Sequence, residues 1–374
     1  MLDAVVAGLG AMGSAVVCHL ASRGARVVGL DRYHPPHAHG SSHGRSRIIR
    51  QAYFEHPQYV PLVQRAYQCW SQLEAQTGAD LLVRTGGLMI GRPEGAVAEG
   101  ALRSAQEHAL KHELLSARQL RTRYPVFHAP DDTVAVWEPD AGYLRPEACI
   151  GAHLSLAETN GATLCYDEPL LSWSPVPGGV AVTTRRSKYA ARRLVLAAGA
   201  WNTSLLPELS LPLIVERCVQ HWFHPTDEPE LFDRTRFPVF IWEYEPGRVW
   251  YGIPSEGAGV KLALHHQGET APSPDGIRRE IDPGESESVR ALVQRFLPAA
   301  DGAVHESTVC LYTNTPDEDF IIDSPPGVPE VILASPCSGH GFKFSSAIGE
   351  TIAALILDGG SDFDLTPFRL SRFH

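Results

Sequence analysis

The sequence predicts an α/β fold in which a nucleotide-binding βαβ unit opens the chain and a β-rich stretch is inserted further along. Three observations carry this reading. A short apolar strand runs straight into a glycine-rich turn and a helix. Strand-length and helix-length apolar patterns lie on both sides of residues 210–309. That stretch itself contains a run of strands.

Ala4–Ala7 is the first strand, and Gly8-Leu9-Gly10-Ala11-Met12-Gly13 follows at once as a GxGxxG turn. A helix from about Ala11 to Ser22 ends at Gly24, and Arg26–Leu30 forms the next strand, closed by Asp31. Gly8, Gly10 and Gly13 allow the tight turn and let backbone approach a pyrophosphate. The helix N-terminus offers free N–H groups and a positive dipole end to that anion, and Asp31 can accept from a ribose hydroxyl. The strand before, the helix after and the acid at the right distance favour a dinucleotide site over a merely structural turn. The motif alone does not separate NAD from FAD.

Further helices are expected over Tyr59–Glu74 with Gly78 beyond, Pro146 to about Asn160, Ser286–Phe296 stopped by Pro298, and Phe344–Leu357. Leu194–Ala198 and Glu330–Ala334 read as strands. So do Phe237–Tyr244, Arg248–Gly252 and Gly259–His265 within the β-rich stretch. The expected division is therefore discontinuous: 1–82, 145–208 and 310–374 in the nucleotide-binding domain, 83–144 and 209–309 in a β-sheet-rich substrate domain.

Composition excludes several classes of protein. The 374 residues are 44% hydrophobic and 20% charged, which suits a globular chain rather than a disordered or fibrous one. A net charge of −11 argues against nucleic acid as the main partner. No apolar run approaches the ~18 residues of a membrane span. The N-terminus has no basic region with a signal-type cleavage site, so a cytoplasmic protein is expected. The 7 cysteines form no CxxC pair, which points away from a disulfide framework or a zinc site.

Four constellations could carry chemistry. Gly40-Ser41-Ser42-His43-Gly44-Arg45-Ser46-Arg47-Ile48-Ile49-Arg50 places three arginines after the dinucleotide unit. It is either a site for an anionic ligand or a solvated charge run. On Gly259–His265, alternation puts Lys261, Ala263 and His265 on one face, which lines a cleft or faces solvent. Cys310-Leu311-Tyr312 precedes Pro316-Asp317-Glu318-Asp319-Phe320-Ile321-Ile322-Asp323. Ser338-Gly339-His340-Gly341-Phe342-Lys343 lies at a strand-to-helix junction, where Gly339 and Gly341 let backbone approach a ligand.

Taken with Tyr59-Val60-Pro61-Leu62, Tyr251-Gly252-x-Pro254 and the tail from Ser361 to Phe373, these blocks run end to end along the chain. The chain resembles the monomeric sarcosine oxidase and N-methyltryptophan oxidase family of FAD-dependent amine oxidases. The resemblance implies a two-domain flavoprotein with a Rossmann-type FAD-binding domain. It also implies oxidation of an N-methyl or other secondary α-amino acid to an imine, with O2 reduced to hydrogen peroxide, by a monomer.

The residue roles follow from the same resemblance. Cys310 matches the cysteine that forms a thioether to the flavin. Lys343 and Arg50 match the two cations on the substrate carboxylate, and Lys261 the lysine where oxygen is activated. Arg47 matches the arginine against the flavin ring. Ser42, His43 and Ser46 lie in the flavin-contacting segment, while His265, Tyr251 and Tyr312 match substrate-pocket positions. Two departures stand out: Arg45 where family members commonly carry Asp, and Pro336-Cys337 where they have Gly and an apolar residue. Both are expected near the flavin or the pocket. The rival readings are a flavin dehydrogenase or demethylase using another acceptor, an oxidase of a cyclic imino acid, an NAD-dependent dehydrogenase, and a flavin-binding protein without activity.

Overall fold

The structure is a computed structural model that describes residues 1–373, so the expected segment 310–374 runs one residue beyond what is described. Five strands form the parallel centre of one sheet, in the order Val331–Ser335, Lys188–Leu196, Leu2–Ala7, Val27–Leu30 and Thr163–Cys165. The hairpin Ser172–Val176/Gly179–Thr183 and the strand Ile321–Asp323 add antiparallel edges. Ala4, Val5, Val6, Leu194, Val195 and Leu196 are all fully buried. Both faces of this sheet are covered, which is why its central strands are continuous apolar runs.

The helix Ala11–Ser22 packs between that sheet and the helices Pro146–Thr159 and Ser345–Leu357. Small residues set this approach: a Cβ at Gly349 would sit 2.6 Å from the Ala15 backbone carbon. Any larger side chain there would push the two helices apart.

A second sheet is almost wholly antiparallel. It joins Gly87–Gly91, Glu113–Ser116 and Val134–Glu138 to Ile214–Phe223, Val239–Glu245, Arg248–Ile253, Val260–His265, Glu269–Ala271 and Val304–Asn314. The strand Val304–Asn314 is uninterrupted across position 310 and pairs with Ile214–Phe223. A small third sheet joins Arg47–Ile49, Leu82–Arg84 and Gly142–Leu144.

The expected elements are present, most with ends moved by a few residues; the strand read as Leu194–Ala198 begins earlier, at Lys188, and ends at Leu196. The helix read as Tyr59–Glu74 is Val60–Thr77, closed by Gly78 at φ +71°. Helices Ala96–Glu107 and Ala117–Arg123 and the edge hairpin were not legible as elements. No helix among the described residues is long and apolar enough to cross a membrane.

Candidate active site

Gly8, Asp31, Ala198 and Pro336 follow the carboxyl ends of four parallel strands, and all four line one cavity of about 450 Å³. This is where ligands bind in open α/β sheets. The cavity continues to the face of the second sheet, where Gln220, Tyr251, His265 and Tyr312 line it.

The glycine turn is built as the sequence suggests. Gly8 takes φ +92°, and a Cβ there would lie 2.6 Å from the Ala197 carbonyl oxygen. Gly10 caps the helix without a side-chain bond, and no acid occupies the first turn. Gly13 does not line the cavity. A Cβ on it would fall 1.7 Å from the Gly8 carbonyl oxygen, so it shapes the turn from behind. Ser42 lines the cavity and accepts from the Ala11 amide at 3.3 Å.

Asp31 is more committed than a free ribose acceptor. Its two carboxylate oxygens accept from the amides of Leu9 at 2.6 Å and Tyr33 at 2.8 Å. It therefore pins the glycine turn, leaving one lone pair on each oxygen for a ligand.

The segment 40–50 passes beneath the second sheet. Arg47 lines the cavity and donates to the carbonyls of Ser46 and Ser41, each at 2.8 Å, and to Cys310 Sγ at 3.2 Å. Cys310 and Arg47 are thus neighbours despite their separation in sequence. Lys261 is buried, so its side of the strand does not face solvent there. Its Nζ donates to the carbonyls of Gly44 and Ser46, each at 2.8 Å, and does not line the cavity. Burial, and then Arg47 beside it, hold its ammonium well below the ordinary lysine range. His43 also lies behind the wall, and burial followed by Arg47 pushes it down to about 3. Ser46 lines the cavity.

Arg45 departs from its expected place. It stands at φ +67° with its side chain half exposed, paired with Glu306 and 5.4 Å from the Trp222 ring centroid, and it does not line the cavity. Pro336 and Cys337 do line the cavity. Burial raises the Cys337 thiol to about 11, as for a structural cysteine.

The two expected carboxylate anchors differ. Arg50 is buried against the Tyr53 and Phe54 rings, and its Nη2 donates to both Glu55 carboxylate oxygens at 2.6 Å. It lines the cavity already paired with a carboxylate, Glu55. Lys343 is buried in the same wall, and its Nζ donates to the His340 carbonyl at 2.5 Å. Burial and then Arg50 lower it to about 7, with Glu55 opposing.

His265 and Tyr312 line the same cavity, with His265 Nδ1 3.2 Å from the Tyr312 hydroxyl. Burial first, then His266, keep His265 well below the ordinary histidine range, which favours its uncharged form. Tyr251 lines the same region, and burial raises both tyrosine hydroxyls. A Cβ on Gly339 would lie 2.6 Å from the Tyr312 ring, and one on Gly341 1.7 Å from the Pro336 carbonyl oxygen. Both glycines are required by close backbone approach.

Sequence reasoning missed Glu55, Tyr53 and His340. The Tyr53 hydroxyl is 2.5 Å from His340 Nδ1, and His340 Nε2 is 3.0 Å from the Glu318 carbonyl. His340 had a signal in its glycine-flanked motif, but Tyr53 and Glu55 sit in an irregular segment with none. The donor set fits FAD. The cradle offers glycine backbone to a pyrophosphate, and the buried Gln220 Oε1 and Thr313 Oγ1 in the cavity wall have no protein partner.

Comparison with known proteins gives the family. The family model described as FAD dependent oxidoreductase matches residues 3–355. The chain is 42% identical over 361 residues to the monomeric sarcosine oxidase of Streptomyces avermitilis, covering 96% of this chain and 94% of that protein. It is 37% identical over 373 residues to the N-methyl-L-tryptophan oxidase of Salmonella arizonae, covering 99% of each. Among solved structures, L-proline dehydrogenase from P. horikoshii superposes with a TM-score of 0.85 at 19% identity, over 99% of this chain and 97% of that one, a likeness of fold alone. The chain belongs to the FAD-dependent oxidoreductase family, within the branch of the sarcosine and N-methyltryptophan oxidases.

Proposed function

We propose that this protein oxidises an N-methyl or other secondary α-amino acid to an imine, using FAD held along the cavity. For an N-methyl substrate the imine adds water and gives an aldehyde and an amine; O2 takes the two electrons, with two protons, as hydrogen peroxide. The observation that carries this is that Lys343, Arg50, His265 and Tyr251 all line the one cavity that begins at the glycine turn. The cofactor, when bound, supplies the two-electron acceptor.

The chain's own residues do the rest. Gly8 and Gly10 with the helix N-terminus hold the pyrophosphate, and Asp31 the ribose side. Lys343 fixes the substrate carboxylate, with Arg50 available to a second oxygen once Glu55 yields it. Two fixed points orient the reacting C–H, which lowers the entropic barrier. Neutral His265 with Tyr312 and Tyr251 presents hydrogen-bonding groups to the amine without adding a charge that would repel its protonated form. Cys310 is the attachment point for a covalent flavin, and the Arg47 donor on its sulfur holds it in place. Lys261, beneath Gly44 and Ser46, supplies the positive charge for oxygen reduction.

A second reading, a dehydrogenase passing electrons to another acceptor, is favoured by one fact: burial disfavours the Lys261 ammonium. We further read residues 1–82, 145–208 and the chain after Asn314 as the FAD-binding unit and 83–144 with 209–314 as the substrate unit, the expected boundary at 310 moving to the end of the strand Val304–Asn314, in a monomeric cytoplasmic protein. Oxygen uptake on addition of sarcosine or an N-methyl aromatic amino acid, with peroxide formed in equal amount, tests the proposal. Flavin reduction without oxygen uptake establishes the second reading, and no flavin reduction by any secondary amino acid refutes both.

A further inference from the structure

Residues 50–56 form neither helix nor strand, yet they carry Arg50 and Glu55 into the cavity wall. Buried amides in such a segment need acceptors from elsewhere. The acceptor is Glu138, at the end of the strand Val134–Glu138 and itself 1% exposed. Its carboxylate takes the Gln51 amide at 2.9 and 3.0 Å and the Ala52 amide at 2.8 Å. The Ala52 carbonyl in turn accepts from Arg50 Nη1 at 3.2 Å. The far side of the segment is held by the helix Ala96–Glu107, where Ser104 Oγ donates to the Tyr53 carbonyl at 2.5 Å. Glu138 does not line the cavity, and so acts only through this segment.

We infer that Glu138 is a positioning residue for the substrate-carboxylate site, its carboxylate fixing through Gln51 and Ala52 the backbone that sets Arg50 and Glu55. This rests on the functional reading above.

The charged groups around it are Arg50, which favours its ionised form, and Asp140, which opposes it. Tyr67, whose hydroxyl donates to the Asp140 carbonyl at 2.9 Å, and Arg84 lie in the same cluster. Burial, against the two amides and Arg50, raises the carboxyl to about 7. Ionised, it accepts both amides. Protonated, one oxygen becomes a donor facing an N–H, and its hold on the segment weakens. Carboxylate affinity therefore falls as pH drops below about 7.

The experiment titrates the FAD-loaded enzyme with benzoate, a non-oxidisable carboxylic acid, following the flavin absorbance between about pH 5.5 and 9. Two variants are compared with wild type. Glu138→Gln keeps the shape but loses one acceptor; Glu138→Asp keeps the charge but not the reach. At neutral pH both are expected to bind benzoate about tenfold more weakly, as the loss of one hydrogen bond predicts. Glu138→Gln is also expected to lose the weakening on the acid side. Affinity within about twofold of wild type in both variants overturns the inference. So does an acid-side weakening that persists in Glu138→Gln. If the wild type binds benzoate but oxidises no secondary amino acid, the functional reading falls while the same titration still decides the role of Glu138. A wild type that binds no carboxylic acid overturns both.

Discussion

Replacement of Lys343 by Met is expected to weaken substrate binding far more than it slows turnover. Of the two carboxylate anchors, Arg50 already carries Glu55, whereas Lys343 has only the His340 carbonyl on its Nζ among the described residues. Its ammonium is buried, so a bond to a substrate carboxylate is made in a low-dielectric wall. A hydrogen bond to a charged group contributes about 1.5–3 kcal/mol. At about 1.4 kcal/mol per factor of ten, KM should rise roughly tenfold to 150-fold, with kcat changed much less.

The pH dependence gives a second test. Burial and Arg50 lower Lys343 to about 7 in the folded protein, below the ordinary lysine value of the unfolded chain. Between those two values the unfolded chain binds more protons, so this residue makes stability rise with pH across that window and imposes its full penalty below about 7. Substrate affinity runs the other way, because a carboxylate needs the ammonium. It should fall as pH rises above about 7, and the variant should lose this alkaline limb while becoming more stable at low pH. Steady-state kinetics and thermal unfolding across about pH 6–9 measure both. A KM unchanged at neutral pH, or an alkaline limb that survives in the variant, would refute the assignment.

Other perturbations probe the remaining parts of the site. With Cys310→Ser, flavin should appear in the supernatant after acid precipitation, whereas wild type should keep its colour in the pellet; flavin retained by the variant would remove Cys310 as the attachment point. Lys261→Met should slow reoxidation by O2 about 10²-fold while leaving reduction by substrate nearly unchanged, and equal slowing of both half-reactions would contradict its role. The same change removes two bonds that hold the 44–46 turn, so a modest drop in thermal midpoint should accompany it. Gly13→Ala places a Cβ 1.7 Å from the Gly8 carbonyl oxygen and should cost about 1–3 kcal/mol together with FAD retention. Normal flavin stoichiometry and unfolding temperature in that variant would show that the turn can relax.

Much of this protein is local and therefore legible in its sequence. The βαβ opening could be read because its strand, glycine turn, helix and acid are consecutive in the chain, and each is fixed by short-range sterics. The helix starts and stops were read from proline and glycine, with ends moved by only a few residues. Alternation placed Lys261 and His265 on one face of a strand, but could not say whether that face met solvent.

Tertiary structure decided what those groups touch. Lys261 turned out to be buried beneath Gly44 and Ser46, and His265 to line the cavity, because the strand Val260–His265 packs over the 40–47 segment. Arg50 found Glu55, Asp31 found the amides of Leu9 and Tyr33, and Arg45 turned outward to Glu306. Glu138 reached Gln51 and Ala52 from another sheet. Such pairings join residues far apart in sequence or in irregular backbone. No periodicity encodes them, and they arise only when long-range packing removes water and each buried polar group must find a partner.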